Sequence, residues 1–211
     1  MFEEVLPKEA KRSLALLGES GILKDAYLAG GTALALQMGH RISVDFDFFT
    51  KKKFNSEMLV QKLAALPAKF QLERLEWGTI LGYVGRTRFS LFYYNYPLLD
   101  KPAFFSGIKL ASIKDIASMK IAAISDRGAK RDFIDLYFIL AVEKAFSFKD
   151  VLNFYDKKFK VLRQNKMHIL KSLIYFNDAE KVEMPKMLKD VNWKEVKKYF
   201  EKEVKEIMVT L

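Results

Sequence analysis

Leu28-Ala29-Gly30-Gly31-Thr32-Ala33-Leu34-Ala35-Leu36-Gln37-Met38-Gly39-His40-Arg41-Ile42-Ser43-Val44-Asp45-Phe46-Asp47-Phe48-Phe49 is the stretch that decides the fold of this chain. A short apolar run, Ala26 to Ala29, ends in a glycine pair. Thr32 to Met38 is rich in Ala and Leu and suits a helix that Gly39 would end. From Ile42 to Phe48 apolar and polar residues alternate, which is the period of a strand. That period predicts Asp45 and Asp47 on one face, with Ile42, Val44, Phe46 and Phe48 on the other.

The order strand, glycine turn, helix, strand carries a chemical implication. A glycine turn entering a helix lets backbone N–H groups and the positive helix end approach phosphates without side-chain obstruction. Two same-face carboxylates can hold Mg²⁺ against the same triphosphate and activate a hydroxyl nearby. Taken singly, a D-x-D on a strand is usually solvent-facing, and Gly-Gly before a helix is ordinary. The reading rests on their joint occurrence, with thirteen residues from Thr32 to Val44 between the glycines and Asp45.

Outward from this core, residues 7–19 read as an amphipathic helix with Leu14, Leu16 and Leu17 on or near its apolar side. After the basic turn Lys51-Lys52-Lys53, Asn55 or Ser56 could cap a helix running to about Leu66. Strand-like runs follow at Phe70–Trp77, Thr79–Val84 and Arg86–Tyr94, joined at Gly78 and Gly85, and a further short one at Ile108–Ala111. From Ser112 the pattern turns helical. Ser112 with Asp115 forms a capping-box-like start to a helix that stops at Gly128. A second helix begins near Lys130, and later ones are expected at 147–159, 165–176 and 192–208. The expected fold is α+β: a mixed sheet with flanking helices over 1–111, and a helical bundle over 112–211 that completes the active-site cleft.

Composition narrows the function classes. The 211 residues include no cysteine and two histidines, His40 and His168. Disulfides, thiolate metal sites and cysteine nucleophiles are therefore excluded, and any metal centre would use oxygen ligands, which favour hard cations. No apolar run reaches the roughly 18 to 20 residues needed to span a bilayer, and the opening MFEEVLPKEAKR lacks the apolar segment of a secretory signal. A cytoplasmic protein with no membrane partner is the expectation. The net charge of +10 is spread over both halves and favours a phosphate-bearing partner without identifying one.

The stretch quoted above resembles the AbiEii/AbiGii-type nucleotidyltransferase family, the toxin half of type IV toxin–antitoxin systems. That family belongs to the polymerase-beta-like nucleotidyltransferase superfamily, whose signature is a glycine pair leading to an acidic D-x-D. The form Gly-His-Arg-x-Ser-x-Asp-x-Asp, here Gly39 to Asp47, is particular to the family, and the likeness continues through KDIASMKIAAISDRGAKRDFIDLYFIL, residues 114–140. The resemblance implies transfer of a nucleoside monophosphate from an NTP to an acceptor hydroxyl, with the 3′ end of tRNA as the expected acceptor, Mg²⁺ as cofactor and a cognate antitoxin as partner. It places Asp45 and Asp47 on the metal and Gly30, Gly31 and Thr32 on the nucleotide; from their positions, Ser43 bonds to a phosphate or to Asp45, and Arg41 either fixes the turn or touches the nucleotide. The alternatives are a catalytically impaired nucleotide- or antitoxin-binding protein, and an enzyme acting on a small molecule or a protein.

In the second block, Lys120 lies among Ile116, Ala117, Met119, Ala123 and Ile124. From the helix alone it either snorkels to the surface or faces a polar cleft; the resemblance favours the cleft, with Lys120 on the triphosphate. Asp132 and Asp135 share a helix face. By the resemblance Asp132 is the stronger active-site candidate, while Asp135 could orient Lys120 or Arg131. His40 has a structural role or touches nucleotide, and His168 reads as packing. Lys157, Lys158, Lys160, Arg163 and Lys166 form a basic stretch, either a solvated helix face or an RNA contact. One departure stands out: superfamily members often carry a third carboxylate on a later strand, and the matching run Arg86–Tyr93 has no acid, with Ser90 near the expected position.

Overall fold

Tyr27, Leu28 and Ala29 are buried and form β1 (Tyr27–Ala29), a short strand inside a seven-stranded sheet. The others are β2 (Phe46–Thr50), β3 (Phe70–Glu76), β4 (Thr79–Val84), β5 (Thr87–Tyr93), β6 (Ala103–Phe105) and β7 (Ile108–Leu110). Their order is β3-β4-β5-β2-β1-β7-β6. β2 runs antiparallel to β1 and parallel to β5, and β1 runs parallel to β7, so the sheet is mixed and the fold α+β. The computed structural model describes residues 1–160 and 166–209, and the chain divides into two units, Met1–Ser112 and Ile113–Leu211.

In the first unit, α1 (Lys8–Glu19) buries Leu14 and Leu17, and its Ser13 hydroxyl donates to the Val84 carbonyl at 3.0 Å. α2 (Gly30–Met38) is almost wholly buried, as its Ala-Leu composition requires. It ends at Gly39, whose φ of +66° is left-handed, a conformation that costs a side-chain-bearing residue about 1–2 kcal/mol. α3 (Ser56–Ala64) starts where Asn55 Oδ1 accepts from the Met58 N–H at 2.9 Å. Under the sheet, Phe48, Phe70 and Phe89 pack with ring centroids 5.6 and 6.1 Å apart.

Two local expectations are corrected here. The strand expected from Ile42 begins at Phe46. Val44 is 40% exposed and Ile42 half-buried, so the period-two argument covers only Asp47 and the buried Phe46 and Phe48. Side chains of the preceding helix and loop hold residues 43–45, as described below. β6 was not foreseen. It pairs with β7 through a two-residue turn, Ser106-Gly107, with φ of +46° and +74°. Positive φ at both positions matches the right-handed twist of a tight hairpin.

The second unit holds α4 (Ile113–Arg127), α5 (Lys130–Tyr137) continuing as a π turn over Phe138–Val142, α6 (Phe148–Lys158), α7 (Lys166–Ser172), α8 (Asn177–Glu180) and α9 (Trp193–Val209). α6 opens with a capping box between Ser147 and Asp150. Phe133 centres an aromatic core with Phe176, Trp193 and Phe200. Asp115, expected at a helix cap, lies fully buried, and Lys158 Nζ donates to its carboxylate at 2.8 Å.

Lys158 is therefore neither on a solvated face nor available to RNA: its side chain is 0% exposed. A buried ammonium needs a partner carboxylate, and Asp115 supplies it. Lys166 pairs with Asp156 at 3.3 Å, and Arg163 lies outside the described residues. His168 is exposed rather than packed; the apolar face of α7 is formed by Ile169 and Leu170 instead. Among the described residues no helix is long and apolar enough to cross a membrane.

Candidate active site

The end of β1, the start of α2 and the start of β2 meet at one point. Ala29 is the cross-strand neighbour of Asp47, and on the other side of β2 the neighbour of Asp47 is Ser90 of β5. Gly30 follows Ala29 with φ of +67°, where glycine is the residue without steric cost. A Cβ placed on Gly30 would stand 3.1 Å from Asp47 Oδ2. The glycine thus keeps the approach to that carboxylate oxygen clear.

Gly31 serves the adjoining side. A Cβ there would overlap Arg41 Nη2 and come within 3.1 Å of Ser43 Oγ. Arg41 is buried, and its Nη1 donates to the Ile42 carbonyl at 3.0 Å. The Thr32 hydroxyl lies 2.9 Å from Ser43 Oγ and 2.6 Å from the Asp45 carbonyl. The one hydroxyl proton of Thr32 goes to the carbonyl, which accepts only, and that bond ties Asp45 to the first turn of α2. Thr32, 1% exposed, therefore acts on Asp45 through the loop backbone, and the Ile42 carbonyl is one of the groups that Arg41, 4% exposed, holds. His40 is 0% exposed and belongs to the packed interior behind the turn. Asp45 and Asp47 are half-buried.

This donor set fits a hard divalent cation. The carboxylate oxygens of Asp45 and Asp47 are the ligand type Mg²⁺ prefers, and the bare Cα of Gly30 leaves room beside one of them. Among the described residues no cluster of three or more His, Cys, Asp or Glu side chains has metal-binding geometry. Ser90, near the position expected from the sequence for a third carboxylate, is the β5 neighbour of Asp47 and is buried.

In the helical unit, Lys120 does not snorkel. Its side chain is 5% exposed, with Nζ 2.8 Å from Asp132 Oδ1 and 2.5 Å from Asp135 Oδ2. Arg127 adds a fork to Asp132, Nε to Oδ2 at 2.9 Å and Nη2 to Oδ1 at 3.2 Å. Both carboxylates are fully buried. Lys120 and Arg127 thus face Asp132 between them, and Asp135 is oriented on Lys120, one of the two partners expected for it. Burial alone would push the Asp132 carboxyl up; the charge of Lys120 and the hydrogen bond and charge of Arg127 outweigh it and hold the group below the usual carboxylate range. Arg131, the other candidate partner, is exposed.

Sequence reasoning missed the Arg127 fork. Its signal was an arginine five residues before Asp132, across the Gly128 helix stop.

Comparison with known proteins follows the same outline. A model of the nucleotidyl transferase AbiEii toxin of type IV toxin–antitoxin systems matches residues 12–76 and 95–207. The stretch between the two matched segments contains β4 and β5, and so Ser90. An uncharacterized protein of Aquifex aeolicus is 37% identical over 214 residues, covering 96% of this chain and 98% of its own length. Two solved structures share the fold. MenT4, a nucleotidyltransferase toxin of Mycobacterium tuberculosis, aligns with a TM-score of 0.58 at 13% identity, covering 94% of this chain and 86% of that one. JHP933 of Helicobacter pylori aligns with a TM-score of 0.57 at 18% identity, covering 98% and 94%. With the family model spanning most of its length and both strands of the glycine–aspartate centre, this chain belongs to the AbiEii nucleotidyl transferase toxins of type IV toxin–antitoxin systems, and it is a nucleotidyltransferase.

Proposed function

We propose that the chain transfers a nucleoside monophosphate from an NTP to a hydroxyl of RNA, the 3′ end of tRNA, and that Asp45 and Asp47 hold the Mg²⁺ ion this requires. The observation that carries the reading is the closeness of Gly30 to Asp47: a Cβ on this helix-start glycine would stand 3.1 Å from the carboxylate oxygen, so the turn beside it has to be free of a side chain. When bound, the cation offsets charge on the triphosphate and on the attacking oxygen. The chain supplies the rest. Backbone N–H groups of Gly30, Gly31 and Thr32 face the phosphates. Thr32 fixes Asp45 through its carbonyl, and Arg41 sets the loop that carries Ser43.

Lys120 and Asp132 are proposed as positioning residues. The Lys120 ammonium is already neutralised by two buried carboxylates, so a triphosphate would gain from it only by displacing one of them. Asp132, held ionised by Lys120 and Arg127, is a weak base for an acceptor proton. The pair instead fixes the start of α5 against α4. A cytoplasmic location and a cognate antitoxin belong to the same proposal.

One observation favours a second reading. Ser90 sits where a third carboxylate would complete the centre, as expected of a protein that binds nucleotide with impaired transfer. The experiment that decides is incubation of the purified protein with labelled NTPs, Mg²⁺ and total tRNA beside an Asp47→Ala control. Label on tRNA that the control loses supports transfer to RNA. NTP binding without label on any acceptor favours the impaired protein, and label on protein or small molecules alone moves the acceptor class.

A further inference from the structure

At the opposite end of β1 and β2 from the aspartates lies a second concave surface, a cleft of about 240 Å³. Lys24, Lys52, Lys53 and Lys62 line it, with Ile22, Leu23, Met58, Leu59 and Leu91 making its apolar wall. Asp25 is the one carboxylate among the described lining residues, and its oxygen is taken by Lys52 Nζ at 2.6 Å. Lys109 joins the group from β7, its Nζ donating to the Lys24 carbonyl at 2.7 Å. Hydrogen bonding and charge from Lys52, with the charges of Lys24 and Lys109, hold the Asp25 carboxyl below the usual carboxylate range. Five lysines against one aspartate leave a local charge of about +4 on a surface the catalytic reading does not use. Phe104, 63% exposed, is the cross-strand neighbour of Lys109 and extends the surface with an aromatic face.

We propose that this surface docks the sugar–phosphate backbone of the acceptor RNA, with Lys24, Lys53, Lys62 and Lys109 on phosphates and the cleft wall against one nucleotide. The proposal rests on the RNA reading above and adds a place to it. Four lysines lining one cleft, with Lys109 beside them, suit several phosphates in a row, whereas one free nucleotide carries too few to engage them all. The apolar wall is concave, which suits a base or ribose better than insertion into a bilayer. From Asp47 to Thr50 the strand advances about 10 Å.

The test uses the full chain carrying Lys24→Ala, Lys53→Ala and Lys62→Ala together. Lys52 and Lys109 are kept, because they hold Asp25 and the Lys24 carbonyl. Binding of tRNA is measured across salt concentrations, with circular dichroism and thermal unfolding as the control for an intact fold and NTP affinity read beside it. Three lost phosphate contacts lower the slope of log affinity against log salt by about 2, which at 0.1 M salt is about a hundredfold in affinity. NTP affinity is expected to stay unchanged. In transfer assays the KM for tRNA rises while kcat holds.

An unchanged slope overturns the proposal. So does loss of NTP affinity in the variant, which would make the cleft a free-nucleotide site. Loss of binding to phosphatidylserine vesicles with RNA binding intact overturns it in favour of a membrane surface. The parent reading fails separately. If the wild-type chain binds tRNA with the expected slope yet labels none, RNA transfer falls while the docking surface stands.

Discussion

Replacing Lys120 by methionine separates a structural lysine from a substrate-binding one. The ammonium is 5% exposed and shared by Asp132 and Asp135, both 0% exposed. Methionine keeps much of the volume but removes the charge, so three charged groups remain, Arg127 with two carboxylates. Breaking a buried pair by deleting one partner costs about 3–5 kcal/mol, because the other charge is left uncompensated. For a chain of 211 residues, each kcal/mol moves the midpoint by roughly 2–4 °C, so the fall in Tm is at least about 6 °C. Adding Asp135→Asn removes the carboxylate that Lys120 held, leaving Arg127 on Asp132, and should recover much of the loss. Thermal unfolding followed by circular dichroism reads both variants, and NTP affinity is measured below the transition. A Lys120→Met protein that melts with the wild type and binds NTP weakly would refute the structural assignment and put the lysine on the triphosphate. So would a double variant no more stable than the single one.

Other consequences follow from the same geometry. Gly30→Ala places a methyl 3.1 Å from Asp47 Oδ2 at a φ of +67°; it should cost about 1–2 kcal/mol of stability and lower kcat much more than that strain alone implies, read by melting and by initial rates. Thr32→Val removes the donor to the Asp45 carbonyl and should cost about 1–3 kcal/mol, with transfer reduced although no nucleotide contact is changed. Asp132 has a folded pKa below its ordinary value of 3.8. Its stabilisation is therefore complete above that value and is lost as the pH falls through it toward the folded pKa. Tm measured between pH 6 and pH 2 should fall more steeply with pH in that acid window, and this extra fall should be absent in Asp132→Asn.

The glycine turn, α2 and β2 were legible because each is set by local rules. Gly30 and Gly39 need left-handed φ, and Phe46 and Phe48 alternate with Asp47. What the sequence hid was tertiary. The run Ile42–Asp45 alternates as a strand does, yet Thr32 and Arg41 hold it as a loop, and that contact crosses a helix. Lys158 reads as one lysine of a basic face until Asp115, forty-three positions earlier, is seen to bury it. Lys120 was legible as an anomaly in an apolar helix, but its partners were not settled by spacing alone. β6 carries its signal in Ser106-Gly107 between apolar residues, but a strand of three residues is too short for its period to show. At the centre itself, the aspartates and glycines could be named from the sequence. Only the register shows that Ser90 stands beside Asp47.

The most direct measurement follows the two ends of one NTP. The protein is incubated with Mg²⁺ and total tRNA, in parallel with NTP labelled on the α-phosphate and on the γ-phosphate. Nucleotidyl transfer through the Gly30–Asp47 centre puts the α label on tRNA, sends the γ label into pyrophosphate, and loses both with Asp47→Ala. Retention of the γ label on the acceptor, or α labelling that survives Asp47→Ala, would contradict it.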